Sequence, residues 1–243
     1  MNALHTASIP IIAEPILRTQ GLGRVFSTRA GDVVACDDID LEIYAGELVV
    51  VRGPSGAGKS TLLRLLGGLD TPTSGEVWVD GTLYSSLTEQ QAVDLRRDDL
   101  GFVFQTFGLV PVLTAAQNVE LPLRMKNTDA ATRDARVAEV LALVGLSDHA
   151  AQLPDELSGG QQQRVGIARA LAVPPRILIA DEPTAQLDST NAALVMDLLA
   201  SLVDTAGIAV VIATHDPDVA TRAHRVIELH DGRQTQAPAR HRA

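Results

Sequence analysis

At 243 residues the chain has the length of one compact domain, or of a core carrying a modest insertion. Hydrophobic residues make up 46% and charged residues 21%, which argues against bulk disorder, and no unbroken apolar stretch is long enough to span a bilayer. A formal net charge of −10 makes the chain a poor coat for nucleic acid, and its single cysteine, Cys36, excludes an intrachain disulfide and a cysteine-built metal cluster.

In chain order, residues 1–14 carry no periodic pattern and read as a loose arm; Met1 to Pro10 lack the basic start and long apolar run of a signal peptide. Ile16–Gln20 and Val33–Ile43 read as strands. Leu48–Arg52 is a short apolar run that ends in a glycine-rich loop, the pattern of a strand buried on both faces. Ser60–Leu66 reads as a helix with Leu62, Leu63, Leu65 and Leu66 to bury, and Gly75–Val79 as a strand closed by the Asp80-Gly81 turn. From Thr106 to Ala172 the pattern is largely helical, with Val137, Val140, Leu141 and Val144 at helical spacing and Gly145 as a stop. Alternation then returns: strands at Arg176–Ala180, Ile208–Thr214 and Val226–Leu229, and a helix at Asn191–Val203. The tail from Arg233 reads as solvated chain. Strands alternating with helices imply a mainly parallel sheet covered on both faces, with the helical middle inserted as a subdomain.

Three segments carry chemistry. Gly53-Pro54-Ser55-Gly56-Ala57-Gly58-Lys59-Ser60-Thr61 matches G-x-x-x-x-G-K-[ST] between a strand and a helix. Its glycines let backbone N–H groups converge on phosphate oxygens, and the helix start adds the positive end of its dipole. Lys59 is placed to reach the β- and γ-phosphates, the Ser60 hydroxyl to ligate Mg²⁺, and Thr61 to contact the α-phosphate. Second, the strand Arg176–Ala180 runs into Asp181-Glu182 at its carboxyl end, where open α/β sheets bind ligands. Asp181 is placed to hold Mg²⁺ and Glu182 to polarise an attacking water. Third, Leu157-Ser158-Gly159-Gly160-Gln161 opens a helix with an S-x-x-Q capping box. Two glycines weaken a helix start unless something approaches its backbone closely, so this is a second anion-binding surface.

Taken along the chain, Gly53–Thr61, Leu157–Gln161 and Ile177–Glu182 resemble, in that order, the Walker A, signature and Walker B motifs of ABC-type ATPases. Gln105, closing Gly101-Phe102-Val103-Phe104-Gln105, is similar to that family's Q-loop. Leu187-Asp188 resembles the end of its D-loop, and His215 its switch histidine. Phe26 stands where the family has an adenine-stacking aromatic, often Tyr. The stretch Thr184-Ala185-Gln186-Leu187-Asp188 departs from the family, which more often has Gly at 185 and Ala or Asn at 186.

The resemblance covers roughly residues 16–232. It implies an α/β fold: a P-loop NTPase core of the RecA-like kind with a mainly parallel sheet, a small antiparallel β region and an inserted α-helical subdomain. The implied division is an ATP-binding core over 15–104 and 173–232, a helical subdomain over 105–172, a flexible arm over 1–14 and a disordered tail over 233–243. It further implies ATP and Mg²⁺ as cofactors and a head-to-tail homodimer in which each ATP lies between Gly53–Thr61 of one copy and Ser158–Gln161 of the other. In that scheme Glu182 is the base, His215 contacts the γ-phosphate and the water, Gln105 senses Mg²⁺ and the water, and Asp188 couples the two sites.

The segment Gly101–Pro111, with Leu113-Thr114 and Asn118–Leu123, resembles the MacB, LolD and FtsE branch in particular. That implies an integral membrane permease with a large external domain as partner, location at the cytoplasmic face of the membrane, and export, lipoprotein release or mechanical transmission as the work. Phe107, Leu109, Val110 and Leu113 either fill the subdomain core or form a socket for the partner. A DNA-repair or cell-division ABC ATPase is the alternative; the coiled-coil insertions and basic charge of a nucleic-acid-acting one are not present in the sequence. Trp78, Tyr84 and Cys36 read as packing residues, and His149, His224 and His230 show no ligand spacing.

Overall fold

The computed structural model describes residues 14–29 and 31–235. The elements run β1 (Leu17–Thr28), β2 (Gly31–Ile43), β3 (Leu48–Arg52), α1 (Lys59–Leu66), β4 (Ser74–Val79), β5 (Thr82–Leu83), α2 (Glu89–Asp99), β6 (Leu100–Val103), α3 (Ala115–Met125) and α4 (Ala130–Leu143). They continue with α5 (Gly159–Ala172), β7 (Ile177–Asp181), α6 (Ser189–Ala206), β8 (Ala209–Thr214), α7 (Pro217–Ala220), β9 (Arg225–His230) and β10 (Arg233–Gln234).

Two sheets form. The larger has the order β10-β9-β3-β8-β7-β6, with β9, β3, β8, β7 and β6 parallel and β10 turned back as an antiparallel hairpin on β9. The smaller, β2-β1-β4-β5, is antiparallel. Alternation along β3 shows how the parallel sheet is covered twice. Val49 and Val51 face a core shared with α1 and the antiparallel sheet, while Leu48 and Val50 face a core shared with α3, α4, α5 and α6. The parallel strands therefore read as unbroken apolar runs, and their carboxyl ends, where β3 and β7 stop, are left to carry polar groups.

Three sequence expectations need correction. β1 does not end near Gln20. Irregular register at Gly21 and Gly23 lets the strand bend and resume to Thr28, so these glycines are bulge positions. α2 was not expected, because it buries none of its residues and has no apolar stripe to betray it. It is set instead by the Thr88–Gln91 capping box and tied down by Arg96, which donates to the Gly68 carbonyl (3.0 Å) and the Tyr84 hydroxyl (2.5 Å). Arg233 and Gln234, expected as the start of a disordered tail, pair with His230 and Leu229, and Arg233 clamps Asp37 at 2.6 and 2.8 Å. The remainder of that tail from 236, and the arm expected over 1–14 except for residue 14, lie outside the described residues.

Candidate functional site

The strand β3 delivers the chain into the glycine-rich loop, and α1 leaves it. Gly58, the residue before α1, has φ +98°, and a Cβ there would stand 2.0 Å from the Ala35 carbonyl oxygen, so only glycine closes this loop. Lys59 is buried; its ammonium donates to the carbonyls of Gly53 (2.8 Å) and Pro54 (3.1 Å) and lies 3.8 Å from Glu182 Oε1. The Ser60 hydroxyl donates to Asp181 Oδ1 at 3.0 Å, linking the end of β7 to the start of α1. Burial pushes the Asp181 carboxyl above its ordinary range; the Ser60 hydrogen bond opposes this and the neighbouring Glu182 charge adds to it.

Glu182 follows β7 with φ +47°, a left-handed backbone that costs a non-glycine residue about 1–3 kcal/mol. Its carboxylate is 13% exposed. It is held from both sides: Thr214 Oγ1 donates to Oε2 (3.3 Å) and His215 Nδ1 lies 2.9 Å from Oε1. Thr214, fully buried at the end of β8, was missed by the sequence reading; its only signal is a hydroxyl closing an otherwise apolar strand. A cavity of ≈ 600 Å³ gathers Pro54, Ser55, Gly56, Gly58, Lys59, Ser60, Thr61, Gln105, Glu182 and His215, with Val33, Val34 and Ala35 as its third wall. Gln105 also lines a neighbouring cavity with Ser60 and Asp181. Phe26 pairs with Val33 across the antiparallel sheet, and the Arg24 guanidinium covers one face of its ring at 4.6 Å.

Ser60, Asp181 and Gln105 line one cavity and carry oxygen donors, a hard set that suits Mg²⁺. Among the described residues no group of three or more His, Cys, Asp or Glu could cage a metal ion. The donor set therefore fits an ion that shares its ligands with phosphate oxygens.

Ser158 to Gln161 lie outside the cavity residues. Ser158 caps α5, accepting from the Gln161 N–H at 3.3 Å while Gln161 Oε1 accepts from the Ser158 N–H at 2.8 Å. The two glycines differ. A Cβ on Gly160 would sit 2.4 Å from Asn191 Oδ1, whereas one on Gly159 meets nothing closer than 3.7 Å. Asn191 is not free to move, since its amide Nδ2 donates to Asp188 Oδ2 (2.6 Å) and its backbone N–H to Oδ1 (3.0 Å). Those two bonds hold the Asp188 carboxyl below its ordinary range and fix Asn191, at the start of α6, against Gly160 at the start of α5. Gly160 is thus explained by packing within the chain; Gly159 is not. Gly160→Ala is expected to destabilise the fold by about 1–3 kcal/mol, whereas Gly159→Ala changes stability by less than about 0.5 kcal/mol and lowers ATP turnover. Thermal melts beside turnover assays check this.

A parallel sheet whose carboxyl edge gathers a phosphate loop, a carboxylate pair and a histidine defines a P-loop nucleotide triphosphatase. The ABC transporter family model matches residues 36–185. The chain is 43% identical over 217 residues to the ABC transporter ATP-binding protein MJ1508 of Methanocaldococcus jannaschii, covering 89% of this chain and 96% of that protein. It is 46% identical over 230 residues to the macrolide export ATP-binding/permease protein MacB 1/2 of Paracoccus denitrificans, covering 93% of this chain but only 34% of that protein. Among solved structures, the dimeric post-hydrolysis state of the ATP-binding cassette MJ0796, bound to ADP and Pi, matches with TM-score 0.85 and 42% identity over 90% of this chain and 97% of that one. The chain belongs to the ABC transporter family and is an ATP-binding, ATP-hydrolysing cassette of it. Among the described residues no helix is long and apolar enough to cross a membrane.

Proposed function

We propose that two copies of this chain pack head to tail around two ATP molecules, and that closing on ATP and opening after hydrolysis drive a membrane permease. One observation carries this reading: the cavity that gathers the phosphate loop, Gln105, Glu182 and His215 is lined by none of Ser158, Gly159, Gly160 or Gln161 among the described residues. A second anion-binding helix start that does not serve its own chain's cavity is suited to a nucleotide held by another copy. The dimeric state of MJ0796 supports the same arrangement.

In this scheme Lys59 neutralises charge on the β- and γ-phosphates, and Ser60, Asp181 and Gln105 hold Mg²⁺. The ion, when bound, offsets the charge of the phosphate oxygens. Glu182 accepts the proton of the attacking water, held in place by Thr214 and His215, and His215 turns to the γ-phosphate as the site closes. Phe26, backed by Arg24, stacks on adenine. Asp188 couples the sites, because its capping partner Asn191 rests against Gly160.

The partner we assign is an integral membrane permease with a large external domain, so that the cassette works at the cytoplasmic face; no nucleic acid is involved. The MacB relatives, which join ATP-binding and permease functions in one protein, support export as the work done. The segment after Gln105 divides as a socket would: Leu109 is half-buried against the core, while Val110 (36% exposed) and Val112 (80% exposed) face out beside it. Shared sites make turnover depend on concentration. Turnover per chain is expected to rise with protein concentration for the isolated cassette, and to become independent of it once co-purified permease holds two copies together. A flat profile for the isolated cassette would overturn the reading.

A further inference from the structure

The capping box of α5 continues into a relay of side chains that the nucleotide motifs do not use. The Ser158 N–H donates to Gln161 Oε1, which fixes which end of that amide faces the cap. The other end, Nε2, can only donate, and it lies 3.1 Å from His149 Nε2. That ring nitrogen therefore presents a lone pair. In a neutral imidazole the proton then sits on Nδ1, which lies 2.6 Å from Gln152 Oε1, an acceptor. Donor and acceptor bookkeeping thus selects one state of His149, neutral and protonated on Nδ1.

The strand of chain that carries this ring is itself anchored. The Ala115 N–H donates to the Gln152 carbonyl (2.8 Å) and the Ala116 N–H to the Ala150 carbonyl (2.9 Å). Those donors are the first residues of α3, the helix that follows the Gln105 segment. His149 is half-buried and so is Gln161, so the bond between them is partly shielded from competing water.

We propose that His149 is a positioning residue for the signature helix. Its neutral ring holds the Gln161 amide, the amide holds the capping box shut, and the closed box keeps the N–H groups of Gly159 and Gly160 aligned for the nucleotide of the other copy. The same bond links the Gln105 side of the helical region, through the start of α3, to the surface offered to that copy. The functional half of this inference rests on the two-copy reading above.

The test uses the full chain in three measurements. Amide hydrogen exchange of the single chain reads the cap directly, and His149→Ala is expected to speed exchange at Ser158 and Gln161 about tenfold. In the Glu182→Gln chain, light scattering against ATP concentration reads assembly, and His149→Ala is expected to raise the ATP needed for half-dimerisation roughly five- to tenfold. Affinity of the single chain for a fluorescent ATP analogue stays unchanged. His149→Gln, whose side-chain oxygen can stand in for Nε2, is expected to restore both, and adding His149→Ala to Gln161→Ala to cost nothing further. Unchanged exchange and unchanged half-dimerisation in His149→Ala, or full additivity with Gln161→Ala, would overturn the inference. If exchange responds as expected but no chain assembles on ATP, the hold of His149 on the cap stands and the two-copy reading is what fails.

Discussion

Glu182→Gln is expected to lower ATP turnover roughly 10²–10⁴-fold while ATP still binds. The size of the effect follows from what the substitution leaves in place. Gln keeps the length of the side chain and an oxygen that can accept from Thr214, and it inherits the left-handed backbone unchanged, so the fold has no new strain to absorb. It removes the negative charge that faces Lys59 at 3.8 Å and His215 at 2.9 Å, and with it a carboxylate beside both that can take a proton from water. Binding gains slightly, because a carboxylate no longer opposes the phosphate charge. The variant therefore stalls with ATP in place, and the assembled dimer accumulates; light scattering with and without ATP, beside a phosphate-release assay, reads both. Turnover near the parent rate would place the base elsewhere, with His215 the next group to examine.

The residues in this prediction were legible in the sequence because the chemistry dictates their types. Binding a polyphosphate demands glycines, a lysine and a hydroxyl in a fixed order, and β3 and β7 announce themselves as apolar runs that end where those residues begin. The supports of the site were not legible, since each is a contact between distant segments. Nothing in the sequence links Thr214 to Glu182, Asn191 to Gly160, or His149 to Gln161. The same division holds for the fold. The apolar strands β3, β7, β8 and β9 were read within a residue or two and β6 was not, whereas α2 escaped because it buries no residue, although the T-x-x-Q pattern at Thr88 and Gln91 marked its start. The bend of β1 at Gly21 and Gly23 was hidden because a glycine reads alike as a bulge and as a stop.

The second large effect is a recovery. Lys59→Ala and Ser158→Arg are each expected to abolish turnover alone, and to regain up to about a quarter of the parent rate when the two chains are mixed. Lys59→Ala removes the ammonium from its own phosphate loop and leaves the carbonyls of Gly53 and Pro54 without their donor, but its α5 is untouched. Ser158→Arg leaves the phosphate loop, Glu182 and His215 intact and fills the exposed start of α5 with a bulky side chain. It also loses the helix cap, at a cost of about 1 kcal/mol, which a thermal melt will separate from the loss of turnover. If the sites were complete within one chain, each variant would carry its defect into every mixture and nothing would return. If the sites are shared, a mixed pair concentrates both defects in one site and leaves the other whole: the phosphate loop of the Ser158→Arg chain faces the unaltered signature of the Lys59→Ala chain. Random pairing makes about half the pairs mixed, each with one working site of two, which sets the expected ceiling. Recovery well below it would mean that one working site turns over poorly beside a dead one, the behaviour expected if Asp188 and its partner Asn191 carry information between them. A mixture that stays dead while Glu182→Gln assembles on ATP would demand both sites at once, and a Ser158→Arg chain that hydrolyses ATP unaided would end the case for a shared site.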